Sequence, residues 1–186
     1  MALVHAVLTR ARQSERLALD VSEMRRRMAE QHRNPPRWEL KHRRGGLVDI
    51  EFIAQYLQLR EAAQRPEVLH PNTAAALGAL ARAGAIDIDA ANDLLAALRL
   101  WRNLQGLIKL TVEEPFDESA SSPALKQLLA RGVGAVDFAR LKLDMESAAA
   151  RVVALYEMHV EAPAARARAR HEAPLTSTPP AQEHIP

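Results

Sequence analysis

The chain has 186 residues, 48% of them hydrophobic and 26% charged, with a formal net charge of +2, which is the composition of an ordinary globular domain rather than of a disordered or fibrous chain. Cysteine is absent and aromatic residues make up only 4%, so disulfides and thiolate metal sites are excluded and the core must come from Leu, Ala, Val and Ile, a palette that favours packed helices. No window approaches the ~20 apolar residues of a membrane span, and the opening MALVHAVLTRARQ lacks the apolar length and small-residue cleavage site of a secretory signal, so a cytoplasmic protein is expected.

In SERLALDVSEMRRRMAEQHR, residues Leu17, Val21, Met24 and Met28 recur at helical spacing, predicting a helix over roughly 14 to 33 with Ser14 as N-cap and the NPP that follows as its stop. The segment RWELKHRRGG is too short and too charged for a helix, and a brief extended piece is expected at Trp38 to Lys41 before the glycines turn the chain. A second helix runs from Leu47 to about Ala63. A third starts at Asn72, a good N-cap, and stops at Gly84. From Asp87 the stripe Ala91, Leu94, Leu98, Trp101, Gln105 and Ile108 predicts a long helix to about Glu113, with only Gly106 against it. EEPFDESASSP reads as a loop, with Ser122 and Pro123 as N-cap and N1 of a short helix to about Arg131. Asp137 caps a last long helix carrying Phe138, Leu141, Met145, Val152, Leu155 and Tyr156.

The expected fold is all-α, a helical bundle of about five to six helices over residues 14–162. Residues 163–186, with four prolines in the stretch from Arg166 onward and almost no large apolar side chains, are expected to be a disordered tail.

Charge is unevenly placed. Residues 10 to 44 hold eleven basic against five acidic side chains, net +6, whereas residues 45 to 162 hold eleven against sixteen, net −5. Such a basic front suits nucleic acid, nucleotide phosphates, an acidic partner, or the acidic remainder of its own fold. Searches for chemistry largely fail. There is no phosphate loop ending in Lys-Ser or Lys-Thr, no serine elbow, and no pair of histidines at i, i+4 spacing. Asp87 and Asp89 form an Asp-x-Asp pair, but they open a helix, where capping and dipole compensation account for both.

The stretch KHRRGGLVDIEF, residues 41 to 52, sets four basic residues and a glycine pair before Asp49 and Glu51. At 100° per residue the two acids look out from nearly opposite sides of their helix, so they are not a paired acid/base dyad, while Glu51, Gln55 and Gln58 share one stripe. The first turns of this helix look buried on several sides, so a carboxylate there needs a cationic or hydrogen-bonding partner. On structural grounds alone, Gly45 and Gly46 make the turn, Asp49 favours the helix N-terminus and Glu51 pairs with an arginine of the first helix. The functional alternative brings backbone N–H groups of the glycine pair to a phosphate, with Lys41, Arg43 or Arg44 supplying charge and Glu51 and Gln55 orienting them. One arginine of Arg25 to Arg27 is expected to point inward to Asp49 or Glu51.

LKHRRGGLVDIEFIAQYLQL resembles the K-x-x-x-G-G-[I/L]-x-[D/E]-I-E-F-x-x-Q-x-x-x-L segment of the bacterial glutamine synthetase adenylyltransferase/adenylyl-removing enzymes. LALDVSEMRRRM is similar to that family's linking helix and LLAALRLWRNLQGLIKL to the long helix of its C-terminal bundle. The resemblance implies ATP and Mg2+ as cofactors, transfer of AMP to a tyrosine of glutamine synthetase, removal of AMP by phosphorolysis, and control by the PII signalling protein. The family's Gly-Ser turn with its metal-holding Asp-x-Asp is absent, so no catalytic residue and no metal ligand is expected in this chain. Residues 1–13 are then expected to be the end of a linker from an upstream nucleotidyltransferase domain, with the chain as the C-terminal part of the enzyme. The expected nucleotide-facing residues are Lys41, Arg44, Gly45 and Gly46, supported by Asp49, Glu51 and Gln55. The rival readings are a stand-alone helical module for nucleic acid, disfavoured by scarce aromatic residues, and a regulatory scaffold that binds a protein without chemistry.

Overall fold

The computed structural model describes residues 2–112 and 116–172. Among them are α1 (Ala2–Leu8), α2 (Ser14–Gln31), α3 (Leu47–Glu61), a single 3-10 turn (Pro66–Val68), α4 (Thr73–Arg82), α5 (Ile88–Thr111), α6 (Pro123–Gly132), α7 (Phe138–Tyr156), a π-helical turn (Glu157–Glu161) and α8 (Ala162–Glu172). The described residues contain no strand, so the architecture is all-α, and the six helices expected between 14 and 162 appear as α2 to α7. The brief extended piece expected at Trp38 to Lys41 is instead a succession of turns.

Helix ends follow local chemistry. Asn72 accepts from the Ala75 N–H at 3.1 Å, Ser122 from Leu125 at 3.2 Å and Asp137 from Arg140 at 2.7 Å, each satisfying an N–H that has no partner within its helix. Asp87 accepts from both Asp89 and Ala90. Asp87→Ala is expected to cost about 1 kcal/mol, measured as a lower urea midpoint at unchanged slope. Ser14 is not a cap: Gln13 holds that position, with no side-chain hydrogen bond, and Ser14 is the first helical residue.

At the centre lies α3, which packs against α2, α4, α5 and α7. Ile50, Ile53, Tyr56 and Leu57 are buried on it, and each such apolar side chain contributes about 1.5–3 kcal/mol when taken out of water. The α5 stripe is buried at Ala91, Leu94, Leu98 and Trp101, and the α7 stripe at Leu141, Met145, Val152 and Tyr156. On α2 the inward face is offset from the expected one. Ala18, Ser22 and Arg25 are buried, whereas Met24 is 58% exposed.

The segment 163–172, expected to be disordered, is helical. Pro163 sits in the first turn of α8 just after the π-helical turn. Its missing N–H and its ring are tolerated there better than in a helix interior. No large apolar residue is needed because α8 lies along α2 with Ala164 and Ala167 fully buried, while Arg168 donates to Ser22 and Arg170 pairs with Glu15. Residues 173–186 of the expected tail lie outside the described residues, as do Glu113 to Pro115 of the expected loop. Within the expected linker, residues 2–8 form α1.

Candidate functional site

The turn between α2 and α3 is built by local hydrogen bonds. The Glu39 carboxylate accepts the N–H groups of Lys41 and His42 at 3.3 and 2.5 Å, and Leu40 drops into the core. The Leu40 and Lys41 carbonyls then accept the N–H groups of Leu47 and Val48, the first of α3, while the Arg43 carbonyl accepts that of Gly46. Gly45 has φ +75°, a left-handed conformation natural to glycine, and its N–H donates to Asp49 Oδ2 at 2.6 Å. The N–H groups of Gly45, Gly46, Leu47 and Val48 are therefore engaged within the fold, so neither glycine of the pair has an N–H left to meet an anion.

Asp49 is the centre of the arrangement. It is fully buried, and its other oxygen, Oδ1, accepts from Arg25 Nε at 2.5 Å, Arg25 being only 3% exposed. Arg25 also donates to the His42 carbonyl at 3.2 Å. The inward-pointing arginine of the RRR run is thus Arg25, and its acid is Asp49. Glu51 is half-buried and Gln55 exposed, and among the described residues neither hydrogen-bonds the turn. Gln55 instead lines a cavity of about 750 Å³ between α1 and α3 together with Leu59 and His70. On the same stripe, Gln58 accepts the His70 N–H at 2.6 Å.

Two distant helices complete the clamp. Trp101 of α5 donates its indole N–H to the Gly45 carbonyl at 3.1 Å. On α7, Ala149 packs so closely that a Cβ on Gly45 would lie 2.7 Å from its Cα, and nearer still to its carbonyl oxygen. Trp101 was legible as a core residue from its place in the α5 stripe; its hydrogen bond to the turn was not, because 56 residues separate donor from acceptor.

The cations of the turn have different fates. Arg43 reaches the Arg37 carbonyl and Glu146 of α7 and lies over the Trp101 ring. Arg44 pairs with Glu157 at 2.8 Å, stands 3.6 Å from Asp49 and lies over the Tyr156 ring. Lys41 is exposed, with no carboxylate within 4 Å among the described residues. His42 stacks on His32 at 3.8 Å, and burial pushes its pKa down. Beside this cluster Tyr156 is fully buried with its hydroxyl unpartnered among the described residues, and burial, reinforced by Glu161 and Asp49, pushes its pKa up. His159, whose Nε2 is also unpartnered, is held below its ordinary range by burial. Among the described residues no group of three His, Asp or Glu side chains is gathered to hold a metal ion, and no helix is long and apolar enough to cross a membrane.

The model of the family described as GlnD PII-uridylyltransferase matches residues 10–160. Among curated proteins, the bifunctional glutamine synthetase adenylyltransferase/adenylyl-removing enzyme of Caulobacter vibrioides is 42% identical over 158 residues, covering 85% of this chain and 16% of that protein. The enzymes of the same description from Rhodopseudomonas palustris (strain TIE-1) and Xanthobacter autotrophicus are 38% and 37% identical over 154 and 159 residues. The chain spans 16% of the length of each of these relatives. The chain belongs to the GlnD PII-uridylyltransferase family, and the resemblance carried by its Gly-Gly turn extends over most of its length to the glutamine synthetase adenylyltransferases.

Proposed function

We propose that this chain acts as a helical domain of a cytoplasmic enzyme that adenylylates and deadenylylates glutamine synthetase, forming one wall of the nucleotide cleft through the turn at residues 41–46. The observation that supports this reading most is the clamp on that turn. Asp49 of α3, Trp101 of α5 and Ala149 of α7 converge on Gly45 while Arg25 of α2 holds Asp49 and the His42 carbonyl, and a turn held so closely is suited to presenting charge at a fixed place. In this reading ATP supplies the AMP group and Mg2+ neutralises its phosphates. In the same reading the metal carboxylates belong to a nucleotidyltransferase domain. Lys41 is the cation left to face a phosphate, Arg44 holds the flank of the turn against α7, and Gly45 and Gly46 allow its backbone to lie against Ala149 and the Leu40 carbonyl. Asp49 is the internal support. Glu51 and Gln55 lie on α3 beyond the turn, with glutamine synthetase and the PII protein as partners of the whole.

The test is a chimera in which this chain replaces the matched stretch of the Caulobacter vibrioides enzyme. Lys41→Ala is expected to raise KM for ATP about tenfold, the loss of one charge-assisted contact, with thermal unfolding unchanged. If Lys41→Ala and Glu51→Gln leave both AMP transfer and ATP affinity as they were, the cleft-wall role is wrong.

A further inference from the structure

Most exposed arginines of this fold meet an acid of the same chain. Arg37 meets Glu146, Arg44 meets Glu157, Arg140 meets Asp144 and Arg151 meets Asp93. Arg10, Arg33, Arg82 and Arg166 are single exceptions among the described residues, and one face gathers several. Residues 94–112 and 123–136 carry five basic residues and no acid. On α5, Arg99, Arg102 and Lys109 are exposed, and among the described residues no carboxylate lies within 4 Å of them. They fall with Gly106 and Leu110 inside an arc of about 100°.

The centre of that arc is unusual in a second way. Gly106 lies in the interior of α5, where glycine weakens a helix, yet a Cβ placed on it would meet nothing within 4 Å among the described residues. Internal packing therefore gives no reason for the missing side chain, whereas a neighbouring backbone from outside would gain a close approach. Leu110, one turn on, is 85% exposed. A dent flanked by an apolar side chain and unpaired cations is complementary to a protein surface carrying carboxylates. It suits nucleic acid less well, because no aromatic side chain lies on the face to stack on bases and its cations are few.

We infer that this α5 face docks an acidic surface of the protein substrate, with Arg99 and Arg102 meeting its carboxylates and Gly106 admitting its backbone. This rests on the reading above in taking glutamine synthetase as that substrate. The test measures binding of the full chain to purified glutamine synthetase across a range of salt concentrations, and KM values in the chimera. The Arg99→Glu/Arg102→Glu variant is expected to weaken binding more than tenfold and to raise KM for glutamine synthetase, with KM for ATP unchanged, the opposite split to Lys41→Ala. Gly106→Ala is expected to raise the melting temperature and to weaken binding. The inference is overturned if wild-type chain does not bind, if charge reversal leaves binding intact, or if the chain prefers duplex DNA to glutamine synthetase at equal salt. An inactive wild-type chimera instead counts against the proposed function. An active one whose KM for glutamine synthetase ignores Arg99 and Arg102 counts against the docking face alone.

Discussion

Asp49→Ala is expected to destabilise the bundle by about 3–5 kcal/mol, the cost of leaving a buried charge without its partner. The substitution strands the Arg25 guanidinium, 3% exposed, and the Gly45 N–H together. Against a typical domain stability of roughly 5–15 kcal/mol, this is enough to populate the unfolded chain under mild denaturant. Urea unfolding followed by far-UV circular dichroism checks it. A second variant separates the two contributions. Arg25→Met with Asp49→Leu removes both charges and refills the space, so it recovers the ion-pair part of the loss while the Gly45 N–H still lacks an acceptor, which costs about 1–3 kcal/mol. Full recovery in the double variant would show that the carboxylate matters only to Arg25 and not to the turn.

Gly45→Ala is expected to be as severe for a different reason. The new side chain must adopt φ +75°, costing about 1–2 kcal/mol for an L-residue, and its Cβ must push back the α7 backbone at Ala149, adding overpacking strain of about 1–3 kcal/mol. The backbone of α7 cannot rotate away as a side chain would. Relief requires moving α7 from α3 or moving the turn, and the second breaks the hydrogen bond from Trp101. Intrinsic tryptophan fluorescence reports this directly, since Trp101 is one of only two tryptophans in the chain. A Gly45→Ala variant with wild-type stability and an unchanged emission spectrum would show that the turn is not clamped as described.

Helices α2 to α7 were legible in the sequence because their signals are local. Asn72, Asp87, Ser122 and Asp137 announce helix starts by side chains that reach N–H groups two or three residues on, and the stripes of α5 and α7 mark one face by spacing alone. Two errors share a cause. On α2 the larger side chains Met24 and Met28 suggested the buried face, whereas Ala18, Ser22 and Arg25 occupy it. At 163–172 the lack of large apolar residues suggested disorder, whereas Ala164 and Ala167 let α8 approach closely. In both places the contact is made by small or polar residues whose value depends on the helix lying opposite.

The candidate site divides along the same line. The wheel showed that Asp49 and Glu51 face apart and that a buried carboxylate needs a cation. Which acid is buried is a tertiary matter: Asp49 points at Arg25, and Glu51 does not. The basic cluster was visible as composition, yet the pairing of Arg43 and Arg44 with acids on or after α7 leaves Lys41 as the cation of the turn with no carboxylate within 4 Å among the described residues. The sequence by itself determined an all-α fold, the helix starts at Asn72, Asp87, Ser122 and Asp137 and the Gly-Gly turn, because caps, periodicity and glycine act over one or two turns of chain. Tertiary structure alone decided that the turn is held by Arg25, Trp101 and Ala149, because those groups lie 20 to 104 residues from Gly45 and meet it only when the bundle closes.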